Sequence, residues 1–106
     1  MPFFAMNRFK VRHGHEEAFE AMWRARESRL HEMPGFVEFR LLKGPEGEGF
    51  RLYVSHAQWA SREDFEGWTR SQQFRDSHRN AGNSTTRDAL MGPPVFEGCE
   101  TVLQQR

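Results

Sequence analysis

Cysteine is nearly missing: Cys99 is the one thiol in 106 residues, which leaves no intrachain disulfide and no cysteine cluster for a metal. Net charge is missing too. Fifteen Lys and Arg cancel fifteen Asp and Glu, and no block of like charges breaks the mixture, so nothing draws the chain to nucleic acid or to an anionic membrane surface. No apolar run approaches the ~18 residues of a membrane span, and no charged leader precedes one. A soluble, cytoplasmic chain is expected, with neither nucleic acid nor membrane as partner. The phosphate-loop, dinucleotide, zinc-protease and nucleophile-elbow signatures do not occur, and no strand carries the aromatic pattern of an RNA-binding sheet.

What the chain does have is aromatic residues. Ten Phe and three Trp stand in a sequence that is only 37% apolar. Each aromatic side chain buries a large area, so the surplus points to a flat ligand pocket, a subunit interface, or a core in which Phe replaces Leu. The length corresponds to one domain, 1–106.

In order along the chain, Phe3 to Val11 alternates as a strand does. Phe3, Ala5, Asn7, Phe9 and Val11 share one face, and Phe4, Met6, Arg8 and Lys10 the other. Asn7 is the polar member of an apolar face. A buried carboxamide needs partners, either neighbouring backbone or a ligand. The turn Arg12-His13-Gly14-His15 leads to a helix expected over 15–32, with Phe19, Met22, Trp23 and Leu30 at helical spacing. Arg26 lies at the edge of that stripe, where it either snorkels to water or reaches an anion. His13 and His15 sit in an exposed turn with no third ligand and read as solvated.

Met33-Pro34-Gly35 stops the helix. Strands are expected over 36–43 and 50–58, joined by the loop 44–49. In the second of these, His56 shares the Leu52 and Val54 side and reads as packed or interfacial. Ser61 caps a second helix with Asp64 reaching back, and Phe65 and Trp68 share its face. The helical pattern weakens at Thr69-Arg70-Ser71, and Ser71 is placed to cap a short further helix carrying Phe74 and His78. On an unbroken helix Trp68 and His78 would be rotated by roughly 80°; a break near Ser71 brings both to one cavity. By residue type alone, His78 is a metal or heme ligand, or an exposed polar residue. From Arg79 to Pro94 a long polar loop is expected, with a turn around Asp88 to Met91, and then a last strand from Val95 to Leu103.

Strand, helix, strand, strand, helix pair, strand is the β-α-β-β-α-β order of ferredoxin-like α+β domains. It predicts a four-stranded antiparallel sheet with its helices on one face. The other face would carry Phe4 and Met6 and is too apolar for water, so a second copy is expected on it, in a closed twofold homodimer.

Met6-Asn7-Arg8-Phe9, Met33-Pro34-Gly35-Phe36, and Trp59-x-Ser61-x-Glu63-x-Phe65-x-x-Trp68 carry a resemblance. So do Ser71-x-x-Phe74 running on to His78, and Gly92-Pro93 ahead of Phe96-Glu97. Over nearly its full length the chain resembles the dimeric α+β barrels of the antibiotic-biosynthesis-monooxygenase group, and within it the bacterial heme-degrading monooxygenases. The Pro-Gly-Phe and Trp-x-Ser elements speak for the fold; Asn, Trp and His together are more specific. The resemblance implies that His78 is the heme-iron ligand through a neutral ring nitrogen. Asn7 would be a distal hydrogen-bond donor to oxygen, and Trp68 would press on the porphyrin. It implies further that Arg26 pairs with a propionate, and that Trp23, Phe65 and Phe74 wall the site. Heme would be both cofactor and substrate, opened with O2 and an external electron donor, with release of iron. Two alternatives stand beside this: a cofactor-free monooxygenase of polycyclic aromatics, and a non-catalytic heme-binding barrel.

Overall fold

The sheet forms around the alternation read in its first strand. The computed structural model describes residues 1–26, 29–77 and 84–106. Strand β1 spans Phe3–Arg12, and its Phe3, Ala5, Phe9 and Val11 are buried. It pairs antiparallel on one side with β3 (Phe50–Trp59) and on the other with β4 (Val95–Glu100). β3 pairs antiparallel with β2 (Phe36–Gly47). The order β2-β3-β1-β4 is that of the ferredoxin-like fold, as the element order predicted.

Two apolar clusters fill the space between sheet and helices. Phe3, Ala5, Ala57, Trp59 and Leu30 form one, with Phe65 and Trp68 packed against it. Phe9, Val11, Tyr53, Phe19 and Leu90 form the other, with Met22, Trp23 and Leu41 against it. Between them, in the middle of β1 and β3, Asn7 lies directly opposite Ser55. The core is thus interrupted at its centre by two polar side chains.

Helix α1 spans Glu16–Ala25, shorter than the 15–32 expected. Arg26 leaves it in an extended conformation, φ −72° and ψ 125°, and Leu30 re-enters the core from a 3₁₀ turn, Leu30–Glu32. The cause lies in the sequence: from Arg24 to Arg29 only Ala25 is apolar, and a helical stretch without a packed face has little to hold it. The stop at Gly35 is as expected. Its φ is +80°, and a Cβ there would fall 2.1 Å from the Asp64 carboxylate, so glycine alone fits.

The loop expected over 44–49 is mostly strand. β2 runs on to Gly47, and Glu48-Gly49 make the turn, Gly49 at φ +84°. Pro45 is tolerated because β2 is an edge strand and its register shifts between Lys43 and Glu46. Such bulges and edges are where a strand accommodates proline. The long loop expected over 79–94 contains helix α4, Ser84–Ala89. Buried Ala89 and Leu90 anchor the end of that helix, and Leu90 forms a bridge to Val11. Apolar residues at 89–91 outweigh the polar composition around them. β4 ends at Glu100 rather than Leu103.

The opposite face of the sheet carries Phe4, Met6, Leu52 and Val54, all half-buried, with Leu42 and Val95 exposed. His56 stands among them, its ring 5.0 Å from that of Phe4. Among the described residues no helix is long and apolar enough to cross a membrane.

Candidate functional site

The polar interruption of the core is the floor of a cavity. A space of about 550 Å³ lies between the sheet and the helices, within the ~300–1,000 Å³ usual for small-molecule sites. Ala5, Asn7, Ser55 and Ala57 form its floor; Trp23, Leu30 and Phe39 line one side, and Phe65, Trp68, Thr69, Phe74 and Phe96 the other. Arg26 also lines it.

Local sequence chemistry sets each wall. Ser61 caps helix α2 (Arg62–Thr69), its hydroxyl accepting the Asp64 N–H at 3.1 Å. This fixes the turn from which Phe65 and Trp68 project. The expected break falls at Ser71. Its hydroxyl donates to the Trp68 carbonyl at 2.6 Å and accepts the Phe74 N–H at 3.0 Å, which starts helix α3 (Gln72–Ser77). Trp68 and Phe74 consequently meet edge-on, with ring centres 4.8 Å apart. Phe65 stacks on Phe96 of β4 at 5.7 Å and 10°. Across the cavity, Trp23 stacks on Phe39 at 5.5 Å and 25°. Flat rings thus dominate both sides.

The early end of α1 gives Arg26 its place. Its guanidinium carbon lies 4.7 Å over the Trp23 ring, a cation–π arrangement. Burial lowers its pKa from the ordinary value, yet an arginine remains a cation there. In a partly dry site that charge attracts a carboxylate more strongly than it would in water. The indole N–H of Trp23 is buried without a partner among the described residues.

Of the seven residues the sequence singled out, Asn7, Trp23, Arg26, Phe65, Trp68 and Phe74 line this one cavity. His78 lies outside the described residues. Sequence reasoning missed Ser55, Phe39 and Phe96. Their signal was register: Ser55 and Phe96 both stand opposite Asn7 in the sheet, and directly opposed residues share a face. His13 is exposed beside Glu16 at 3.4 Å.

A second space of about 320 Å³ lies beyond the Trp23–Phe39 stack, lined also by Glu20, Arg24, Leu41, Lys43 and Tyr53. Buried Tyr53 donates to the Glu20 carboxylate at 2.5 Å. Burial, then that bond, raises the phenol's pKa, and the same bond lowers that of Glu20.

Residues 2–80 match the family model described as antibiotic biosynthesis monooxygenase. A heme-degrading monooxygenase of Bacillus cereus (strain B4264) is 32% identical over 54 residues, 51% of this chain and 50% of that protein. The match therefore spans about half the length of such curated relatives. Among solved structures, the heme-degrader MhuD from Mycobacterium tuberculosis, with two hemes bound in its active site, is 25% identical. It superposes with a TM-score of 0.68 over 98% of this chain and 99% of that one. SnoaB, a cofactor-independent oxygenase from Streptomyces nogalater, shares the fold at a TM-score of 0.63 and 23% identity, over 99% of this chain and 95% of that one.

Proposed function

Because the chain belongs to the antibiotic biosynthesis monooxygenase family, we propose that it is a heme-degrading monooxygenase, working as a cytoplasmic homodimer. The observation that carries this reading is the cavity itself: flat rings on two sides, a carboxamide on the floor, and a guanidinium on its lining. A planar aromatic bearing carboxylates matches each of these. Trp23, Phe39, Phe65 and Phe96 stack on its faces and exclude water. Arg26 holds a carboxylate, and the unpartnered Trp23 N–H gains an acceptor. The likeness to heme-degrading proteins of this family supports the same ligand.

When bound, heme supplies an iron that activates O2 and is itself the ring that is opened. The chain's own part is to bind and orient. Asn7 offers its N–H₂ group as a hydrogen-bond donor at the reacting oxygen. Trp68 presses on the ring from the end of α2. His78 is the proposed ligand to the iron, through a neutral ring nitrogen. Heme degradation here would draw its electrons from an external donor and release the iron. The uncovered apolar face, with Phe4, Met6 and Val54, is where the second copy packs.

An anaerobic hemin titration followed in the Soret region tests this, with ascorbate and air added afterwards. A saturable shift that is lost in His78→Ala, then bleaching with iron release that slows in Asn7→Ala, is the expected result. Binding without bleaching, even with a reductase, would mean a heme-binding barrel. No saturable binding would overturn the heme reading in favour of a cofactor-free oxygenase of polycyclic aromatics.

A further inference from the structure

Ser55 is the buried polar residue that stands out among the described residues, at 4% exposure. It lies directly opposite Asn7 in the β1–β3 ladder, and both line the cavity floor. No side-chain hydrogen bond joins either to another described residue, and neither polar group is sealed off from the cavity. A hydroxyl facing a cavity without a protein partner depends on what fills that cavity for its hydrogen bond. Ala5 and Ala57 beside it are small and apolar, so Ser55 supplies the hydroxyl on this part of the floor. The hydroxyl thus points its hydrogen-bonding capacity at the contents of the cavity, water or ligand.

We propose that Ser55 touches the ligand and completes, with Asn7, a two-point hydrogen-bond seat for a small acceptor held between floor and ring. Opposed residues in an antiparallel pair have Cβ atoms about 4.5–5.5 Å apart, so one oxygen or nitrogen atom can be reached by both. Two donors fix the direction of that acceptor where one would leave it free to rotate. Ser55 is then a specificity residue: it decides which edge of the ring the acceptor lies over. The proposal deepens the heme reading and rests on it for the identity of the ring.

Azide affinity of the hemin-loaded protein tests the seat apart from turnover, because azide is a small hydrogen-bond acceptor. Ser55→Ala is expected to weaken azide binding by about three- to tenfold, the size of one hydrogen bond. Ser55→Thr keeps the hydroxyl and is expected to restore azide binding. In Ser55→Ala, the ratio of ring-opened isomers is expected to shift. Unchanged azide affinity in Ser55→Ala would overturn the proposal. Should hemin fail to bind, the heme reading falls and the seat is tested by tryptophan quenching with 1-hydroxypyrene against pyrene. A preference for the phenol that Ser55→Ala abolishes would sustain the seat; equal binding of the two, or binding of neither, would overturn it.

Discussion

Trp68 and Phe74 meet at 83° across a helix break, and Ser71 holds both sides of that break with one hydroxyl. Position and stability are therefore linked through a single oxygen atom. Ser71→Ala removes the cap of α3 and the bond to the Trp68 carbonyl. A lost cap costs ~1 kcal/mol, or about 4–8 °C in Tm for a domain this size. Hemin affinity is expected to fall as well, since Trp68 and Phe74 both lose their anchor. A thermal melt and a titration on the same sample check the two effects. An unchanged affinity at lowered Tm would show that the edge-on pair does not depend on the cap.

Arg26 gives a prediction about ligand charge. Arg26→Ala is expected to weaken hemin binding by about ten- to a hundredfold, as for a charged hydrogen bond. Binding of the dimethyl ester, which has no free carboxylate, should not change. Arg26→Lys should recover only part of the loss, because an ammonium lacks the two-pronged fit to a carboxylate. Equal losses for the acid and the ester would assign Arg26 a packing role over Trp23 instead.

Tyr53 and Glu20 predict a dependence on acid. The Tyr53 hydroxyl lowers the Glu20 pKa in the folded state. That bond stabilises the fold above the ordinary glutamate pKa, about 4.3, and the gain fades as pH falls through the lower folded value. Tyr53→Phe should therefore be less stable than the parent at pH 7, by ~1–2 kcal/mol, and the gap should narrow as pH falls below the ordinary glutamate value. The phenol works in the opposite sense. Its pKa is raised, so its contribution is complete below about pH 10 and is lost at higher pH. Urea unfolding of both proteins across the range measures these limbs; a gap independent of pH on the acid side would sink the account.

The outer sheet face predicts the assembly state. Val54 lies among Leu52, His56 and Met6 on that face, so Val54→Arg introduces a charge where the second copy is proposed to pack. Sedimentation is expected to show a dimer for the parent and a monomer for the variant, with the far-ultraviolet spectrum preserved. A variant that remained dimeric would exclude this face as the interface.

Much of this fold was legible because strand alternation is a strict rule. Phe3, Ala5, Phe9 and Val11 could face the core together in only one register, and the β-α-β-β-α-β order came with it. The helix break was legible because Ser71 interrupts the pattern between Trp68 and Phe74. Errors came where local composition misled. The helical spacing of Phe19, Met22, Trp23 and Leu30 suggested one helix, which Arg24 to Arg29 had no apolar face to hold. Three glycines and Pro45 suggested a loop, although an edge strand tolerates both. Ser55 escaped notice because its role comes from pairing with Asn7, 48 positions away in sequence. Pairing across that distance is written in the register of three strands rather than in any short motif.

The proline and the register shift in β2 bear on how copies of the chain meet at their edges. β2 is an edge twelve residues long, and a straight edge of that length invites any passing strand to add to it. Pro45 removes one donor, and the bulge beside it breaks the regular spacing that a newcomer would need. The opposite edge, β4, is only six residues long, and its Glu97 and Glu100 stand in ion pairs with Arg8 and Arg62; a short edge flanked by charged side chains is a poor template. In a chain with ten phenylalanines, both sheet edges are thereby made poor seeds for strand-by-strand growth.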